Sequence, residues 1–257
     1  MWRNLRIAIL LLVLAIVGYG YWFDRQSTTR WNRTVWIGLF PINAEGGAAG
    51  AAYIEGLTPG KLADIEQFIN GQAKAYGIEV DRPVRIEVYG AVTELPPRLS
   101  AHANAISNIW WSLKLRLYAR RNSHPAGRPA PQIRIFVLYH DPSFNQAVPH
   151  SVGLQKGLVG VVHAYAEADM TRPNNVVIAH EILHTLGATD KYDPATLAPL
   201  YPAGYVEPEQ SPRYPQSLTE IMAGRRAVAA DDFEMPDSLK DARVGAATAR
   251  EIRWIRK

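Results

Sequence analysis

The feature that most constrains this chain is the run His180-Glu181-Ile182-Leu183-His184, followed by Gly187 and Asp190. Residues four apart are neighbours on one face of a helix, so the two imidazoles point the same way. Two ring nitrogens placed like this can share one tetrahedral Zn²⁺. Glu181 follows the first histidine directly, so it lies beside the metal and is not a ligand. A carboxylate there can take a proton from water at the metal. Gly187 lets the helix end in a left-handed turn. The chain can then fold back and bring Asp190 under the metal as a third ligand, leaving a fourth position open, as catalytic zinc sites do. Asp193 is a rival third ligand, although its place before Pro194 suits a turn. Glu220, further on, is a second rival.

The surroundings agree with a buried metal helix. Val176-Val177-Ile178-Ala179 leads into the motif, and Ile182, Leu183 and Leu186 continue it, so the helix is apolar on most sides. Thr171 is a candidate N-cap, with Pro173 in the first turn. Two histidines and a glutamate in such a helix are costly unless a partner satisfies them. That favours a metal over two histidines hydrogen-bonded to neighbours.

Upstream, the pattern alternates between strands and helices. Thr34–Phe40 reads as a strand, and Ala44–Ala52, rich in Gly and Ala, as a flexible loop without a phosphate-binding pattern. Thr58-Pro59 opens a helix with Leu62, Ile65, Phe68, Ile69 and Ala73 as its buried stripe, ended by Gly77. Val84–Tyr89 alternates as a half-buried strand. A second helix, Ser100–Arg120, carries Ala103, Ile106, Trp110, Leu113 and Leu117 on one face, read as its core side. The Trp110-Trp111 pair accordingly reads as core packing. Ile133–Tyr139 and Gly157–Tyr165 are further strands, and His140 and His150, flanking a loop, read as surface residues. Val244–Ile255 reads as a final amphipathic helix. The order predicts an α+β, α/β-like fold. A twisted mixed sheet with backing helices lies over the metal helix, and a small irregular C-terminal region closes the cleft.

The motif HExxHxxGxxD at His180–Asp190 resembles the metzincin zinc peptidases, in the snapalysin-like variant where aspartate replaces the third histidine. The resemblance spans roughly residues 157–193 and implies Zn²⁺ as cofactor, with His180, His184 and Asp190 as ligands and Glu181 as catalytic base. It also implies a methionine in a tight turn beneath the metal, for which Met222 in Glu220-Ile221-Met222-Ala223-Gly224 is the match. It makes 157–165 an edge strand that pairs with extended peptide substrate, with His163 on it as a candidate cleft residue. The family's later tyrosine has no match after Met222; Tyr192, Tyr201, Tyr205 and Tyr214 are open alternatives.

At the N-terminus, Leu5–Phe23 is an apolar run, with Arg3 and Arg6 before it and Tyr19, Tyr21 and Trp22 at its far end. Its length and aromatic end fit a membrane-spanning signal anchor over 1–25, with the domain outside the cytosol. A cleaved signal peptide, and so secretion, is the alternative. A polar linker, 26–33, follows, then a domain over 34–257 divided into 34–187 above the site and 188–257 below. With 47% hydrophobic and 20% charged residues this is a globular chain. The net charge of +4 is spread out, with no aromatic pattern for nucleic acid. The absence of cysteine excludes disulfides and thiol chemistry. The expected protein is a membrane-anchored, monomeric zinc endopeptidase acting on a peptide or protein substrate. The alternatives are a non-catalytic binding module that keeps zinc for structure, or a zinc amidase acting on a non-protein, cell-wall substrate.

Overall fold

A computed structural model describes residues 26–98, 104–123, 129–145, 147–155 and 157–255, with isolated positions before 26. Strands β1 (Val35–Asn43), β2 (Val84–Val88), β3 (Ile133–His140), β4 (Val152–Leu154) and β5 (Val159–Tyr165) form one mixed sheet in the order β2-β1-β3-β5-β4. Neighbours are parallel except for β4, which runs antiparallel to β5 and pairs Val152 with Val161 and Leu154 with Val159. The helices are α1 (Ala48–Glu55), α2 (Ala63–Ala75), α3 (Ala105–Asn122), α4 (Thr171–Leu186) and α5 (Ala246–Glu251).

Successive strand residues point to opposite faces, and the sheet is apolar on both. Ile37, Leu39, Ile135, Val137 and Val162 face α2 and α4, meeting Ile65, Ile69, Ile178 and Ile182. Phe40, Phe136, Val159 and Val161 face α3, meeting Leu115, Tyr118 and Ala119. Beyond α4 the chain turns irregular, with short strands β6 (Thr219–Glu220), β7 (Arg226–Ala227), β8 (Phe233–Glu234) and β9 (Ala242–Arg243). Ile221, Met222, Ile252 and Trp254 from this region join the core shared by α2 and α4.

Several elements differ from the sequence reading. The Gly/Ala-rich stretch is partly helical, as α1, because alanine favours helix once a turn starts it. Asn43 makes that turn: its Oδ1 accepts from the Gly46 N–H and its amide donates to the Gly47 carbonyl. The expected linker 26–33 is not loose. Thr28, Thr29 and Trp31 are buried, Trp31 Nε1 donates to the Ile252 carbonyl at 2.7 Å, and its ring meets Trp254 edge to face. Helix α3 is turned about its axis relative to expectation: Trp110, Leu113 and Leu117 point outward, while Leu115, Tyr118 and Ala119 pack on the sheet. It starts with Asn104 as N-cap, accepting from the Ser107 N–H at 2.9 Å. The edge strand is β4; β5, expected at the edge, lies between β3 and β4. Thr171 is the first residue of α4 and not its cap, and its hydroxyl bonds Tyr53. The last helix is shorter than expected, Ala246–Glu251. Among the described residues no helix is long and apolar enough to cross a membrane. The expected anchor, 1–25, lies almost wholly outside the described residues.

Candidate metal centre

Helix α4 carries His180, Glu181 and His184 toward the end that Gly187 closes. Gly187 adopts φ 107°, in the left-handed region that a side chain would strain, and its N–H returns to the helix while Ala188 N–H bonds Leu183 O. The reversed chain brings Asp190 under the helix. Its Oδ1 stands 3.2 Å from His180 Nε2 and 3.2 Å from His184 Nε2. One ligand atom from each of His180, Glu181 and His184 also lies within 4.8 Å of the other two, a grouping able to hold a metal ion.

The second ring nitrogens are spoken for. His180 Nδ1 donates to the Ile221 carbonyl at 2.9 Å, and His184 Nδ1 donates to the Ala188 carbonyl at 2.8 Å. A carbonyl oxygen can only accept, so each Nδ1 carries a proton, and each Nε2, facing Asp190, is the atom left for a metal, which would take the place of any proton there. Such outer partners orient metal-binding imidazoles. Burial pushes the His180 imidazole down, but Asp190, Glu181 and the Ile221 carbonyl outweigh it and raise it overall. Burial likewise opposes ionisation of Asp190, yet the hydrogen bonds from the two histidines hold its carboxyl well below the usual range. Glu181 is 5% exposed, and burial raises its carboxyl against the pull of the two histidines. Its Oε2 is buried without a hydrogen-bond partner among the described residues.

Edge strand β4 runs against this helix. A Cβ on Gly153 would collide with the Glu181 backbone carbonyl and come within 2.6 Å of His184 Cβ, so only glycine lets the strand lie this close. The loop carrying Asp190 is clamped from far along the chain. Glu251 on α5 accepts from the Thr189 N–H at 2.8 Å, the Thr189 hydroxyl at 2.8 Å and the buried Lys191 ammonium at 2.8 Å. Lys191 N–H donates to the Met222 carbonyl at 2.9 Å. Nothing in the sequence signals Gly153, Lys191 or Glu251, because each acts through contacts with residues remote in the chain.

The other candidates fall into place around this geometry. Asp193 forms a turn, accepting from the Ala195 and Thr196 N–H groups. Glu220 is fully buried and takes four hydrogen bonds, from Met222 N–H, Ala223 N–H, Gly245 N–H and the Thr248 hydroxyl. It thereby shapes the turn Ile221–Ala223, whose Met222 is fully buried and whose Ile221 carbonyl holds His180. Of the four tyrosines, Tyr192 lies in the field of the site: burial, Asp190 and Glu181 all raise its phenol. Tyr201, Tyr205 and Tyr214 pack on one another.

His163 does not reach the α4 side. It shares the sheet face of Val159 and Val161, on the α3 side, and its Nδ1 shares a 2.8 Å hydrogen bond with His140 Nε2. His140, expected at the surface, is buried, and its Nδ1 bonds Glu45 at 2.7 Å; His150 is exposed. Strand alternation decides this, since a residue two positions from a core valine shares its face.

No protein-family model matches the chain, and a search of curated proteins finds no significant match.

Proposed function

We propose that this chain is a zinc-dependent peptidase of the metzincin type, with His180, His184 and Asp190 as ligands and Glu181 as general base. The observation that carries the reading is the convergence of the two Nε2 atoms on Asp190 Oδ1, each 3.2 Å from it, beside a buried Glu181 Oε2 without a hydrogen-bond partner among the described residues. Donors about 2.0–2.1 Å from one tetrahedral zinc stand about 3.3–3.4 Å from each other, so the trio fits such an ion. When bound, zinc would supply Lewis acidity toward water and the scissile carbonyl.

The chain's own groups would do the rest. Glu181 Oε2, raised by burial, accepts a proton from the attacking water and returns it to the leaving amine. An extended peptide adds to the outer side of β4, where no other strand pairs among the described residues, so backbone hydrogen bonds register it against the helix. Tyr192, whose phenol burial and the fields of Asp190 and Glu181 raise, is the candidate donor to the developing oxyanion.

The test is Glu181→Gln. The variant keeps its metal by elemental analysis and loses peptide cleavage by two orders of magnitude or more, on the usual scale of general-base catalysis of about 10²–10⁴. Wild-type cleavage should also stop with a chelator and return with zinc. Cleavage by Glu181→Gln at the wild-type rate would remove Glu181 from the mechanism. Zinc bound with no cleavage of a mixed peptide library by the wild type would favour the structural-zinc reading.

The apolar run Leu5–Phe23 is read as an uncleaved signal anchor that holds this domain outside the cytosol. The intact mass of the chain extracted from membranes tests it, since loss of about residues 1–25 would mean cleavage and secretion.

A further inference from the structure

Helix α3 has two apolar faces, and among the described residues only one is covered. Leu115, Tyr118 and Ala119 pack on the sheet. Ile109, Trp110, Leu113 and Leu117 point away from it, each between 46% and 62% exposed. At about 100° per residue these four fall within an arc of about 100°, opposite the buried set, so they form one continuous stripe. This is no scatter of single surface hydrophobes, which would need no explanation.

Charge says what the stripe meets. The helix contains Lys114, Arg116, Arg120 and Arg121 and no acidic residue. Lys114, Arg120 and Arg121 are exposed, and all three lie on or beside the apolar arc toward its C-terminal half. A tryptophan-bearing apolar stripe bordered by cations is the pattern of a helix lying in the interface of an anionic bilayer.

The course of the chain adds a second argument. Arg116 lies against Gly157, where a Cβ would come within 3.0 Å of its side chain. Gly157 in turn lines a surface depression together with Ser27 and Arg33. The segment around Ser27 therefore shares a surface depression with Gly157, the glycine that Arg116 of α3 lies against. The apolar run Leu5–Phe23 ends only a few residues before that point.

We propose that α3 is a membrane-docking helix that seats its outer stripe in the interface of an anionic bilayer, with Lys114, Arg120 and Arg121 on the headgroups. The docked face is the one opposite α2 and α4, so the metal centre does not face the lipid. The proposal does not rest on peptide hydrolysis, and it concerns a surface apart from the metal ligands.

The chain has no cysteine, so a single one can carry a label. The full chain is reconstituted in vesicles with Leu113→Cys or, as a control on the opposite side of the sheet, Gln67→Cys, each bearing an environment-sensitive fluorophore. Doxyl-labelled lipid is the quencher, and circular dichroism checks folding. Quenching at 113 but not at 67 is expected in vesicles containing phosphatidylglycerol, with a much weaker effect in pure phosphatidylcholine. Replacing Lys114, Arg120 and Arg121 by Gln should lower the docked-to-undocked ratio at 113 about a hundredfold. Absence of quenching at 113 in anionic vesicles would overturn the proposal. So would shielding of the 113 label without vesicles. If it grew with protein concentration, the face would belong to a second copy; if it did not, to residues 1–25.

Discussion

Single atoms decide most of what this site can do. The proton on each Nδ1 is fixed by a backbone carbonyl, which leaves Nε2 as the atom each ring can give to a metal. Glu220 has an analogous role further from the candidate metal centre. Its carboxylate, raised by burial, satisfies three backbone N–H groups and a hydroxyl around the turn that presents Ile221. Glu220→Ala should destabilise the fold by about 3 kcal/mol or more, since it strands several buried donors at once. A shifted midpoint in urea denaturation measures it, and an unchanged midpoint would show that water replaces the carboxylate. Tyr192→Phe is expected to behave differently: unaltered stability and metal content, with kcat lowered about tenfold or more and KM little changed. An unchanged kcat would remove the phenol from catalysis.

Among the elements, α4 was legible from the sequence except at its start, where Thr171, expected as the N-cap, is the first helical residue. Its apolar run, the histidine spacing and Gly187 are local signals, and local signals survive folding. The longer strands were legible too, because they are long and apolar. Strand β4 was not, since Val152-Gly153-Leu154 is too short to show a period, and neither was its place at the sheet edge. Gly153→Val is expected to push this strand off α4 and abolish cleavage, while metal content falls less, because the ligands lie on α4 and the following loop. A variant with full activity would mean that β4 does not line the substrate path. Helix α3 misled for another reason. It is apolar on both sides, so spacing identifies a helix but not which stripe turns inward. The tryptophans at 110 and 111 illustrate it: Trp111 donates to the Pro97 carbonyl, while Trp110 is 62% exposed.

For the whole molecule, what escaped the sequence is contact between distant segments. Glu45, His140 and His163 come from three separate stretches and meet only because β1, β3 and β5 lie side by side. Burial, with His140 and Arg98, lowers His163 from 6.5 to about 4. Burial raises Glu45, but the bonds from Asp141 and His140 lower it overall. For His163 the folded state prefers the neutral ring, so the unfolded chain takes up the proton first and stability falls as pH drops from about 6.5 to about 4. Glu45 acts in the same direction: its stabilisation is complete above the unfolded value near 4.5 and lost below it. The midpoint of thermal unfolding should therefore fall through this range, and His163→Gln should flatten the fall between about pH 6.5 and about 5. A parallel pH profile in the variant would exclude His163 as a source. Lys191→Met tests another long-range tie, the clamp to Glu251. It should weaken metal binding by about 10–100-fold, read by competition with a chromogenic chelator. Unchanged affinity would mean that the loop holds Asp190 unaided.

That clamp has a consequence for timing. The two histidines and Glu181 are translated well before α5, yet the segment that delivers Asp190 gives three of its hydrogen bonds to Glu251 on α5. A nascent chain that has emerged only as far as the motif holds two of the proposed ligands and the proposed base, but the segment carrying the third lacks its bonds to Glu251. If the site hydrolyses peptides as proposed, that competence would arrive late in synthesis, once α5 has emerged to receive these bonds.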